Sequence, residues 1–155
     1  MIIDTTYLLP LSRIKVNADL LQAIAENKVV ETIAFENLAV SSISIFELQA
    51  KAAKLGVKPE YVSEAISSIS VHFRVEPYYS PSIIKTSFEL RGIIPDYIDC
   101  IIVATAASLK EDLVSEDSKI LRRKDALREK FGVNVLSYGD LTTKVASRAG
   151  TKATP

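Results

Sequence analysis

At 155 residues, with 48% hydrophobic and 25% charged, the chain has the composition of a soluble globular protein and the length of one domain with a continuous core. Nineteen Lys and Arg balance nineteen Asp and Glu, so overall charge recruits neither nucleic acid nor membrane, and any polyanion site has to be a local patch. One cysteine allows no intramolecular disulfide, no apolar stretch reaches the ~20 residues of a membrane span, and Asp4 interrupts the N-terminus where a secretory leader would be apolar. A cytoplasmic, non-membrane protein is expected.

"MIID" reads as a buried strand that stops at Asp4. "ADLLQAIAENK" carries Leu20, Leu21 and Ile24 at helical spacing, and "NLAVSS" is a second strand. The stretch "VVETIAFE" (29–36) fits neither pattern. "SISIFELQAKAAKLG" places Ile43, Phe46, Ala50 and Ala53 on one helical face, with Gly56 as a stop. "KPEYVSEAISSI" opens on Pro59, suited to a first helical turn, and "VHFRVEPY" alternates like a half-exposed strand holding His72. "SPSIIKTSFELRG" is a helix with Ser80 as N-cap, followed by a long apolar helix from Asp96. "DLVS" is a short strand, "EDSKILRRKDALREKFG" one helix, and "VNVLS" the last strand. Strands that alternate with helices, several of them apolar on both sides, predict an α/β fold: three α/β/α layers around a mainly parallel central sheet. The domain is expected over 1–140, with 141–155 a basic, partly disordered tail containing Lys144, Arg148 and Lys152 but no acid.

"IIPDYIDCIIVATAASL" is apolar enough to be buried, yet carries two aspartates at its entrance. Asp96 follows Pro95 and suits an N-cap. Asp99, beside Ile98, Ile101 and Ile102, is costly to bury without a partner. In open parallel α/β sheets, sites form outside the carboxyl ends of strands. Asp4 and Asp117 stand just after strands, while Glu47 and Asp99 ride on helices packed against such a sheet. If these acids converge, their mutual repulsion calls for a hard divalent cation, and no His or Cys cluster suits a softer metal. Mg²⁺ or Mn²⁺ among carboxylates answers the needs of a nuclease or phosphatase. An aspartyl-phosphate phosphatase would want a second Asp where Thr6 stands, and leaves Glu47 unexplained.

Order and local context narrow this. "MIIDTTYLL", "VSSISIFELQAKAAKLG" and "IIPDYIDCIIVATAASLKEDLVSEDSKI" resemble, in family order, the motifs of PIN-domain ribonucleases over about residues 1–138. The resemblance implies a PIN-like fold and a metal-dependent endoribonuclease whose acidic residues are Asp4, Glu47, Asp99 and Asp117. These would be the catalytic and Mg²⁺- or Mn²⁺-holding groups, Asp4 and Asp99 foremost, with Asp112 and Glu116 near Asp117 and Thr6 and Ser115 as supporting hydroxyls. Small stand-alone members are mostly VapC-type toxins of toxin–antitoxin pairs, homodimeric and blocked by a cognate antitoxin. A PIN nuclease of RNA maturation and a non-catalytic PIN-like interaction domain are the alternatives.

Other features read both ways. "RRKDALREK" puts Arg122 and Arg123 soon after Asp117, either as RNA-phosphate contacts or as part of a solvated helix face. His72 is expected to be structural, Cys100 to fill the core, and Tyr78 and Tyr79 to pack at the sheet's edge rather than to stack on bases.

Overall fold

The apolar dipeptides and tripeptides after Met1, Leu38 and Asp112 become strands because both of their faces are covered. In the computed structural model, which describes residues 1–142, the strands are β1 (Ile2–Ile3), β2 (Ala39–Ser41), β3 (Arg74–Glu76), β4 (Leu113–Val114) and β5 (Val135–Leu136). All pairings are parallel, in one five-stranded sheet of order β3-β2-β1-β4-β5. Successive strand residues point to opposite faces. Ile2, Ala39, Leu113 and Val135 accordingly enter one core with Ile83, Leu90, Cys100, Ile102, Ile120 and Leu127. Ile3, Val40 and Val114 enter the other, with Tyr7, Leu8, Leu20, Leu48 and Ile69. Two cores on one sheet give the three α/β/α layers.

The helices follow from caps and periodicity. A 3-10 helix (Thr5–Ser12) leaves β1 directly, and α1 (Leu20–Ala25) is capped by Asp19, whose carboxylate accepts from the Gln22 N–H. Next come α2 (Ser42–Lys54), α3 (Pro59–His72), α4 (Pro81–Leu90) and α5 (Tyr97–Leu109). Gly56, at φ +69°, ends α2 in the left-handed region that glycine enters without strain. Asp96 caps α5 by accepting from the N–H groups of Ile98 and Asp99, as its position after Pro95 predicts. Cys100 is fully buried in α5. No described helix is long and apolar enough to cross a membrane.

Four expectations are corrected. The alternation in "VHFRVEPY" yields to helical spacing: Ala65, Ile69 and Phe73 recur every four residues on the buried side, so α3 runs through His72 and β3 starts only at Arg74. His72 is therefore an exposed last-turn residue whose Nδ1 lies 2.9 Å from the Ser68 carbonyl. On α2 the core-facing stripe is Ser44, Leu48 and Ala52, whereas Phe46 is 61% exposed and Ala50 and Ala53 lie outside. Apolar residues fall on both stripes, Ile43, Phe46 and Ala50 on one and Leu48 and Ala52 on the other, so periodicity does not choose between them. The basic segment is two helices, α6 (Ser118–Leu121) and α7 (Lys124–Phe131), separated at Arg122–Arg123.

Residues 29–36 form a loop that leads into a 3-10 turn (Phe35–Asn37); Val29 and Ile33 lean on the second core, and the Val30 N–H donates to the Leu141 carbonyl. The expected basic tail lies, from residue 143 on, outside the described residues.

Candidate functional site

The strand order reverses between β1 and β4: from β1 the chain moves outward through β2 and β3, then returns to the other side of β1. At such a switch point the loops after adjacent strands diverge and leave a crevice. The two loops here begin with Asp4 and Ser115. The Asp4 N–H donates to the Val114 carbonyl at 3.0 Å, so the sheet's own ladder holds the two segments side by side.

Asp4 is 6% exposed. Its Oδ1 accepts from the Thr5 N–H and its Oδ2 from the Ser115 hydroxyl, both at 2.6 Å. Burial pushes the Asp4 carboxyl up, as does nearby Glu47; the Ser115 and Thr5 hydrogen bonds and the Lys51 ammonium oppose that push. The Ser115 oxygen also accepts from the Asp117 N–H at 3.1 Å. One buried hydroxyl thus couples the acid after β1 to the acid after β4. Asp117 uses Oδ1 to cap α6, accepting from the N–H groups of Lys119 (2.7 Å) and Ile120 (3.2 Å).

Two helices deliver the other acids. Helix α2 starts where β2 ends, and one turn later presents Glu47, whose Oε2 accepts from the Thr5 hydroxyl and whose Oε1 lies 3.0 Å from Lys51 Nζ. Helix α5 starts at the cap Asp96 and presents Asp99 in its first turn. Asp99 is half-buried rather than enclosed, with Ile101 and Ile102 taking the core positions beside it. Its carboxylate accepts no hydrogen bond among the described residues. Burial, then the charges of Asp96, Asp117, Asp4 and Glu47, push its carboxyl up to about 7.

These side chains line one cleft of about 290 Å³, bounded by Asp4, Thr6, Glu47, Lys51, Asp99, Glu116, Asp117 and Ser118. The sequence-derived acids Asp4, Glu47, Asp99 and Asp117 all line it, Thr6 lines it too, and Ser115 reaches it through its hydrogen bond to Asp4. Arg122 and Arg123 do not line the cleft; Arg123 instead donates to the Lys119 carbonyl at 3.2 Å. Asp112 sits at the opposite end of β4, bonded to the Asn134 amide at 3.1 Å. Glu116 borders the cleft, but its Oε1 accepts from the Tyr7 hydroxyl (2.7 Å) and the Tyr138 N–H (2.5 Å). Burial and this carboxylate push the Tyr7 phenol far up, so it stays a donor.

Sequence reasoning missed Thr5 and Lys51. Thr5 had the signal of direct adjacency to Asp4. Lys51 follows Glu47 by four residues, the spacing of a helical ion pair.

Among the described residues no three Asp, Glu, His or Cys side chains are drawn tightly enough to enclose a metal ion by themselves. The donor set nonetheless fits one class of ion. Every candidate ligand is a hard carboxylate oxygen, and Asp99 is held among like charges with no hydrogen bond to its carboxylate. Mg²⁺ and Mn²⁺ take a few carboxylates and keep several waters, so an open carboxylate cleft suits them better than a closed cage would.

No curated protein sequence matches the chain significantly. Among solved structures, the chain is similar to a toxin–antitoxin complex from Klebsiella pneumoniae (23% identity, TM-score 0.55, covering 76% of this chain and 87% of that one). It is similar also to VapBC2 from Rickettsia felis bound to a DNA fragment from its promoter (19% identity, TM-score 0.61, 88% and 96% covered). FitAcB from Neisseria gonorrhoeae is a third (15% identity, TM-score 0.60, 88% and 96% covered). At these identities the likeness is one of fold. The PIN domain model matches residues 1–127, a span that contains β1 to α6, the first half of α7 and all four converging acids. With the parallel sheet, its switch point and the matched span in agreement, this chain belongs to the PIN domain family of nucleases.

Proposed function

We propose that the protein is an Mg²⁺- or Mn²⁺-dependent endoribonuclease acting as the toxin of a VapBC-type toxin–antitoxin pair in the cytoplasm. The observation that carries the metal-dependent reading is the meeting of Asp4, Glu47, Asp99 and Asp117, from four separate segments, in one cleft at the switch point. Asp4, Asp99 and Asp117 would hold the ion, directly or through water. When bound, it supplies charge neutralisation at the phosphodiester and a more acidic attacking water.

The chain's own groups do the rest. Ser115 and the Thr5 N–H hold the Asp4 carboxylate in one orientation. Asp117 is oriented by the N-terminus of α6. Glu47, steadied by the Thr5 hydroxyl and Lys51, is suited to orient the attacking water and accept its proton. Attack on phosphorus with loss of the 3′-oxygen leaves a 5′-phosphate and a 3′-hydroxyl. Among the described residues the cleft lining contains no aromatic or amide side chain to read a base, so target choice would rest on surface shape.

The toxin assignment draws on the solved structures of similar fold, which include a toxin–antitoxin complex and VapBC2. A cognate antitoxin is then the expected protein partner. Homodimerisation draws support from large exposed apolar side chains, Phe46, Tyr79 and Phe88 among them. Light scattering of the purified chain checks it, with a monomer counting against it.

The central test incubates a panel of single-stranded RNAs with the wild-type chain and Mn²⁺, with EDTA added, and with Asp99→Asn. Cleavage only in the first arm is the expected result, and equal cleavage in all three defeats the mechanism. Induced expression should arrest growth for the wild type and not for Asp99→Asn.

A further inference from the structure

The cleft contains one group that a purely anionic metal site does not need. Lys51 is the only cationic side chain among the described residues lining it, against Asp4, Glu47, Asp99, Glu116 and Asp117. It lies four residues after Glu47 on α2, the favourable order for a helical pair, with Nζ 3.0 Å from Oε1. The other Glu47 oxygen accepts from the Thr5 hydroxyl. Both oxygens of Glu47 are therefore engaged within the protein, one of them by a full positive charge.

The remaining acids differ from Glu47 in this respect. Asp4 accepts its hydrogen bonds from neutral donors, the Thr5 N–H and the Ser115 hydroxyl, and the Lys51 ammonium acts on it without forming an ion pair. Asp117 uses one oxygen as a cap, and the Asp99 carboxylate accepts no hydrogen bond among the described residues. Glu116 is committed to Tyr7 and the Tyr138 N–H.

We propose that Lys51 is a positioning residue, a built-in cation that neutralises Glu47 and keeps it out of metal coordination, so that the cleft takes one divalent ion held, directly or through water, by Asp4, Asp99 and Asp117. This deepens the nuclease reading above and rests on it. The tethered ammonium does part of what a second metal ion would do: it offsets charge in the cleft and holds Glu47 in the orientation in which it can face water. Without it, Glu47 is free to turn to the metal, and binding tightens while the group that orients water is lost.

Titration calorimetry of the full chain with Mn²⁺ tests this, comparing wild type, Lys51→Met and Lys51→Arg, alongside RNA cleavage and thermal melting. The wild type is expected to bind one Mn²⁺ per chain. Lys51→Met is expected to bind Mn²⁺ about tenfold more tightly, the effect of about one unit charge in a partly solvated cleft, while kcat for RNA falls. Lys51→Arg, which keeps the charge, should restore the wild-type affinity. A Lys51→Met chain that melts lower but binds Mn²⁺ with unchanged affinity and stoichiometry gives Lys51 a merely structural role and overturns the inference alone. Failure of the wild type to bind Mn²⁺ overturns the metal reading and this inference with it.

Discussion

Ser115 is the residue on which two halves of the cleft meet. It is fully buried, donates to Asp4 and accepts from the Asp117 N–H. Partners of this kind orient a metal-holding carboxylate without touching the metal, and their loss costs about 10–100-fold in metal affinity or activity. Ser115→Ala is therefore expected to weaken Mn²⁺ binding and RNA cleavage within that range while the chain stays folded, checked by calorimetry and circular dichroism. Asp99 gives a different signature. Its carboxyl, held up to about 7 by burial and by its acidic neighbours, retains a proton in the folded state that the unfolded chain has already released above the ordinary value of 3.8. The folded state then binds more protons than the unfolded one between these values. Stability of the metal-free protein should accordingly fall as pH rises from about 4 to about 7. Thermal melts in EDTA check this, and Asp99→Asn should flatten that part of the slope. At pH 8 added Mn²⁺ should raise the wild-type melting temperature more than that of Asp99→Asn.

At the scale of elements, α2 decides most. Its stripe of Ser44, Leu48 and Ala52 is buried, Leu48 in the second core, which rotates Glu47 toward the crevice and leaves Phe46 in solvent. Leu48→Ala should cost about 2–5 kcal/mol, as truncation of a fully buried leucine does, whereas Phe46→Ser should fall within about 0.5 kcal/mol of neutral in a monomer. Denaturant unfolding separates the two, and the reverse order would mean that the helix is rotated. Ser44 adds a sharper case. Its hydroxyl is buried without a hydrogen-bond partner among the described residues. Ser44→Ala removes that unsatisfied group and improves helix propensity, so a gain of about 1 kcal/mol is expected in the same unfolding experiment. Helix α5 shows why two aspartates can stand together at the entrance to an apolar helix. Asp96 satisfies the free N–H groups of the first turn, while Asp99, three residues on, lies in that turn at the mouth of the cleft.

For the whole molecule, the order β3-β2-β1-β4-β5 places two fully buried strands, β1 and β4, under the site. The cleft thus rests on strands whose residues are all buried. Native-state hydrogen exchange should find the amides of Asp4, Leu113 and Ser115, which donate across β1, β4 and β5, among the slowest, with those of residues 31–34 among the fastest. Rapid exchange at Asp4 would instead make the site a locally opening element.

What could be read from the chain alone followed from local rules. A buried two-sided strand ends where a carboxylate appears, and a cap and its helix announce themselves by residue type and period; Asp4, Asp96 and the α/β alternation were legible for that reason, and motif order brought Glu47, Asp99 and Asp117 into one site as an expectation. The rotation of α2, the extension of α3 through His72 and the split between α6 and α7 were decided by what each helix packs against, which no window of the chain contains. The same holds for the pairing of Ser115 with Asp4 and of Thr5 with Glu47. These contacts join residues 111 and 42 positions apart, and only a parallel sheet that reverses its winding between β1 and β4 brings such distant hydroxyls and carboxylates within hydrogen-bonding distance.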